Sequence, residues 1–170
     1  MIVSLDPNKI NAGQKQPVTV KIIGERLAKV TVVRVDSTEI KADVLSDREV
    51  HFTLQPKDFD QAKKLKIAAV DAQGGASISA ILNIVGPKIT GPDALPAATA
   101  NTAYEKTITA SDCAGSCRWS LDGNAGGLTI DPATGKLTGT PATTGNFSFK
   151  VVVQDDNQQR DEKNFELVVN

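Results

Sequence analysis

Apolar residues recur at every second position along most of the chain, and that periodicity decides what it can fold into. Val18, Val20 and Ile22 alternate with polar neighbours, as do Ile40, Ala42 and Val44, then Val50, Phe52 and Leu54. Leu65, Ile67 and Ala69 follow the same rule, and so do Ile78, Ala80, Leu82 and Ile84. Successive strand side chains point to opposite faces of a sheet, so a spacing of two buries one face and wets the other; a helix would repeat every ~3.6 residues. Turn-forming residues punctuate these runs at Asp6-Pro7-Asn8, Asp36-Ser37, Ser46-Asp47 and Gln73-Gly74-Gly75. About seven short strands in about 85 residues predict an antiparallel sandwich. Residues 30–35 (VTVVRV) break the alternation, which predicts a bulge or a strand buried on both faces. Residues 56–64 (PKDFDQAKK) are read as able to hold a helical turn.

The second half follows the same rule with different residues. Ile108, Trp119 and Leu121, Leu128 and Ile130, Phe147 to Val153 at alternate positions, and Phe165, Leu167 and Val169 supply a second set of inward faces. A boundary is expected within residues 85–91 (VGPKITG), where Gly86-Pro87 interrupts one strand before another begins. A linker that short predicts stiff coupling of domains 1–86 and 87–170. Five of the seven aromatic residues lie in the second half, so two separate cores are expected.

Composition excludes several classes of function. A formal net charge of -1 provides no long-range field for nucleic acid or an anionic membrane. No run approaches the roughly 20 apolar residues that span a bilayer as a helix, so no membrane insertion is expected of this segment. Met1 leads directly into the strand-like residues 2–5 (IVSL), so an exported protein would carry its leader or further domains upstream.

Residues 131–141 (DPATGKLTGTP) are too rich in glycine, proline and small polar residues for a helix, yet Leu137 stands among them like a core residue. Asp131-Pro132 begins a turn, Gly135 supplies a positive φ, and Pro141 ends the ladder, which together predict a compact hairpin. With residues 95–111 (LPAATANTAYEKTITAS), 117–123 (CRWSLDG), 127–141 (GLTIDPATGKLTGTP) and 145–157 (GNFSFKVVVQDDN), this segment resembles the putative-Ig, cadherin-like repeat of bacterial surface proteins. The resemblance covers essentially all of 87–170. Residues 3–27 (VSLDPNKINAGQKQPVTVKIIGERL), with 40–54 and 76–85, are similar to the IPT/TIG immunoglobulin-like family, although the glycine-rich hairpin of that family reads RVDSTEI here. A generic immunoglobulin-like domain is the alternative for the first half. The two resemblances imply an all-β chain of two immunoglobulin-like antiparallel β-sandwiches in tandem, at 1–86 and 87–170. They also imply an extracellular, cell-surface or periplasmic location, and use as spacers, adhesion units or appendages of enzymes.

Few residues carry chemistry. Cys113 and Cys117 stand in CAGSC, where Gly115 lets the chain turn back, so they form either a disulfide of an oxidising compartment or a pair of reduced thiols. A metal site there would fall short of the usual four ligands, since the one histidine, His51, lies in the other half. His51 alternates with Val50 and Phe52 and should face solvent. No nucleophile and base can be paired, so no catalytic residues are assigned and the chain is read as no enzyme. Asp155, Asp156, Asn157 and Asp161 could offer hard oxygen ligands to calcium, as cadherin-like relatives do near domain ends; the alternative is a solvated turn. Trp119, in step with Cys117 and Leu121, is expected in the core rather than on a sugar-binding surface.

The reading that follows is a non-catalytic structural and interaction module that spaces or docks a filament, adhesin or envelope complex, its partners being other protein domains. The alternatives are a carbohydrate- or protein-binding module supported by calcium, or accessory domains of a secreted enzyme.

Overall fold

The computed structural model describes residues 1–77 and 79–170; Ile78, one of the alternating apolar residues above, lies outside the described residues. The chain folds as two compact units, Met1–Val85 and Gly86–Asn170. Both are β-sandwiches.

The first unit contains β1 (Ile2–Asp6), β2 (Lys9–Asn11), β3 (Val18–Gly24), β4 (Val30–Val35), β5 (Thr38–Lys41), β6 (Asp43–Val44), β7 (Glu49–Leu54), β8 (Lys63–Asp71) and β9 (Ala80–Val85). One sheet runs β1-β3-β7-β6 and the other β2-β9-β8-β4-β5. Pro7, which lacks an N–H for a ladder, ends β1; the chain then joins the second sheet through β2, parallel to β9. Val20, Ile22, Val50, Phe52 and Leu54 of the first sheet meet Val33, Leu65, Ile67 and Leu82 of the second in one core. The expected helical turn is a 3₁₀ turn, Pro56–Phe59. Pro56 opens it, the Gln55 amide donates to the Asp58 carboxylate at 2.7 Å, and Phe59 fills the core.

The irregular VTVVRV strand is bulged between Val30 and Val32, and Val33 and Val35 are buried. A two-residue hairpin at Asp36-Ser37 returns it to β5, with Asp36 at φ 52°. The alternation at Ile40, Ala42 and Val44 does not mark a single strand. The chain changes sheet at Ala42: β5 pairs with β4, β6 pairs with β7, and Val44 is 39% exposed on an edge. A period of two reports which side of a strand is apolar, not which sheet that strand joins.

The second unit contains β10 (Lys88–Gly91), β11 (Tyr104–Thr107), β12 (Thr109–Ser111), β13 (Arg118–Gly123), β14 (Leu128–Ile130), β15 (Lys136–Gly139), β16 (Gly145–Gln154) and β17 (Arg160–Val169). Its principal sheets run β13-β16-β17 and β11-β15-β14, and β10 pairs with β12. All these pairs are antiparallel. Ile108, fully buried, sits where the chain leaves β11 for β12, and its amide donates to Gly135 O. Around it pack Trp119, Leu137, Phe149, Val151, Val153, Phe165 and Leu167; Phe149 and Phe165 face each other across β16–β17 with ring centroids 6.2 Å apart.

Residues 131–141 form the predicted hairpin between β14 and β15. One carboxylate oxygen of Asp131 accepts from the amides of Ala133 and Thr134 and from the Thr134 hydroxyl, at 2.7–3.0 Å. Gly135 takes φ 69°, and Leu137 enters the core with no exposure.

Candidate functional site

Cys113, Cys117, Asp155 and Asp156 meet where the loop before β13 reaches the β16–β17 turn. Cys113 and Cys117 are joined by a disulfide, with Cα atoms 5.6 Å apart. The small loop they close leans on the acidic turn. Asp155, only 3% exposed, accepts the Ala114 amide on Oδ2 at 3.2 Å and the Gln159 amide on Oδ1 at 2.9 Å. Asp156 accepts the Ser116 amide at 3.1 Å and donates its own amide to Ala114 O at 3.0 Å. Its other oxygen lies 3.7 Å from the Arg118 guanidinium.

Asp161 takes a different direction. Its carboxylate accepts the Ile89 amide at 2.9 Å and lies 3.4 Å from Lys88 Nζ, tying β17 to β10. Asn157 lies in the turn itself. Three of the four residues considered for calcium, Asp155, Asp156 and Asp161, thus serve as a buried latch, a loop clasp and a strand tie. Among the described residues, no three acidic, histidine or cysteine side chains gather as a metal site.

The electrostatics follow from these contacts. Hydrogen bonds from the Thr134 hydroxyl and amide and from the Ala133 amide hold Asp131 below the ordinary carboxylate range. On β17, the Lys150 hydrogen bond and charge, helped by Arg160, lower Glu162. Burial raises the Tyr104 phenol, whose hydroxyl donates to Pro96 O at 3.1 Å. His51 stands on the outer side of β7, with Nε2 2.7 Å from Glu49 Oε1. Trp119 is 6% exposed and packs in the core.

Sequence reasoning missed the edge of β13. This strand borders its sheet, pairing among the described residues with β16 alone, and β14 borders the opposing sheet beside it. A cleft of about 390 Å³ runs between the two edges, lined by Trp119, Leu121, Ala125, Leu128, Ile130 and Pro132 among others. A neighbouring groove of about 530 Å³ is lined by Ser116, Cys117, Arg118, Pro132 and Ala133. Periodicity marks Leu121 and Ile130 as inward-facing, yet both remain partly exposed, since among the described residues no further strand covers them.

Residues 86–170 match the family described as Putative Ig domain. The chain belongs to that family. No curated protein sequence matches it. Among solved structures, it is similar to SGBP-B of the Bacteroides ovatus mixed-linkage glucan utilization locus, in complex with a mixed-linkage heptasaccharide. The identity is 13% over 96% of this chain and 43% of that one, with a TM-score of 0.38. The chain therefore spans less than half the length of that protein. It is also similar to the fibronectin(III)-like modules of Clostridium thermocellum CbhA (19% identity, 95% and 88% coverage, TM-score 0.35). A third similarity is to DIP-gamma IG1+IG2 (11% identity, 95% and 92% coverage, TM-score 0.46).

Proposed function

We propose that the chain is a non-catalytic module of a bacterial surface or secreted protein, spacing or docking the parts of an extracellular assembly through protein contacts. One observation carries this reading: the side chains that could do chemistry are committed to holding the fold. Asp155, Asp156 and Asp161 each accept a backbone amide, and His51 pairs with Glu49. Among the described residues, no buried side-chain nitrogen or oxygen lacks a hydrogen-bond partner.

The first unit is read as an IPT/TIG-like module on the strength of its sequence: its first strand ends at Pro7 and its third is VTVKIIG. The disulfide supports an oxidising compartment, extracellular or periplasmic.

The test is binding of the non-reduced protein to arrays of glycans and of envelope proteins, in calcium and in chelator. Saturable binding to a protein component, unchanged by chelator, is the expected result. Saturable binding to glycans alone, lost in chelator, would overturn the reading.

A further inference from the structure

Backbone groups at a sheet edge carry their own demand for a partner, and β13 leaves that demand open. The Trp119 amide donates away from β16, to Pro132 O at 2.9 Å. Antiparallel strands direct alternate residues to alternate sides, so Leu121 also turns its N–H and C=O outward, as does Gly123 at the strand end. Among the described residues no backbone hydrogen bond reaches Leu121 from that side.

Several other edges are closed or blunted. Along β17, Ala98 pairs with the last residues, its amide donating to Val168 O at 2.8 Å, and Asp161 holds Ile89. β5 is short and bears Glu39 and Lys41, β6 is two residues long, and β1 is irregular between Ile2 and Ser4. Such devices discourage strand addition. β13 has six residues, an unshifted register with β16, and neither proline nor lysine.

We propose that the β13 edge accepts an extended segment of another protein as an added antiparallel strand, seated in the cleft beside β14. This rests on the interaction reading above and names its site and the chemistry of its partner. The inward side chains of the added strand would be apolar, since Leu121, Ala125, Leu128 and Ile130 line the cleft. Its outward side chains would meet the exposed face of β13, which presents Arg118 and Asp122 on either side of Ser120. Opposite charges across strands are favourable, so the partner carries a basic residue facing Asp122 and an acidic one toward Arg118. A second copy of this chain is a poor occupant. Self-pairing centred on Leu121 needs the outward amide of Trp119, which Pro132 already holds, and self-pairing centred on Asp122 sets two like charges face to face. Main-chain hydrogen bonds would supply the affinity and the apolar cleft the selectivity.

The experiment uses the full chain labelled with ¹⁵N and two synthetic peptides, Thr-Val-Lys-Val-Thr-Val-Glu and its charge-swapped form Thr-Val-Glu-Val-Thr-Val-Lys. Bound antiparallel, the first places Lys opposite Asp122 and its terminal Glu opposite Arg118. The expected result is saturable amide shifts at Leu121, Gly123 and Ile130, stronger for the first peptide. Asp122→Lys, an exposed change, should reverse the preference by about threefold or more. Leu121→Pro removes an N–H that points away from β16 and so spares the ladder; it should weaken binding by about tenfold or more. If Leu121→Pro disturbs the spectrum of the core, Asp122→Lys carries the test alone. No saturable shift with either peptide at about 5 mM overturns the inference. So do equal affinity for both peptides, shifts confined to another surface, and a homodimer with its contact at β13. Protein binding mapped elsewhere would leave the interaction reading standing, whereas glycan-only binding in the array would remove that reading itself.

Discussion

The buried carboxylate of Asp155 holds the backbone amide of Ala114, 41 residues earlier in the chain, at 3.2 Å. This bond fastens the Cys113–Cys117 loop to the turn between the two longest strands of the second unit. The disulfide fixes the shape of the loop, and the carboxylate fixes its place.

That division of labour is measurable by urea unfolding. Asp155→Ala strands the amides of Ala114 and Gln159, and hydrogen bonds to a charged group are worth more than neutral ones; a loss of about 3 kcal/mol is expected. Replacing Cys113 and Cys117 together by Ser opens a loop of only five residues, for which chain entropy predicts a loss of about 2 kcal/mol. Because both act on one loop, the combined variant should lose less than the two separate losses added. Calcium should leave the wild-type midpoint unchanged, since the Asp155 oxygens are occupied by amides. A midpoint raised by calcium and restored by chelator would refute this account of the turn.

Gly135 admits no side chain. Its φ is 69°, and a Cβ built there would lie 2.6 Å from Ile108 O and 2.8 Å from Trp119 Cε2. Both neighbours are locked in the core, so neither can yield. Gly135→Ala should cost about 3 kcal/mol, with left-handed backbone strain and the clash acting together. Trp119 lies at the point of conflict, so its fluorescence should report the unfolding midpoint directly. A midpoint within error of wild type would mean that the hairpin relaxes freely and does not anchor the core.

What could be read in advance was local. Asp131, Gly135 and Leu137 lie within seven residues, and turn chemistry together with one apolar position was enough to place the hairpin. Alternation likewise located Phe149, Val151 and Val153 inside. The sheet change at Ala42 was hidden, because β5 and β6 share one period while pairing with different neighbours. The burial of Asp155 was hidden for a related reason: its composition is that of a solvated turn, and its partner Ala114 comes from a distant loop. The open edge of β13 was the least legible, since edge status belongs to the pairing of strands and not to any residue in RWSLDG.

The hairpin also makes a prediction in pH. Asp131 is lowered first by the Thr134 hydroxyl, then by the Thr134 and Ala133 amides, so its folded pKa lies below its unfolded one. A depressed carboxylate contributes stability above the unfolded value, about pH 4, and loses it as pH falls through the folded value. Thr134→Val keeps the shape of the side chain but removes the hydroxyl donor, while both amides remain. The Asp131 midpoint, followed by carboxyl ¹³C shifts, should therefore move up toward the ordinary carboxylate range without reaching it. The acid limb of the unfolding curve should move to higher pH in the same variant, and its neutral-pH spectrum should keep the β14–β15 pairs. An unmoved midpoint would show that the amides alone set the Asp131 charge, leaving the hydroxyl a bystander in the turn.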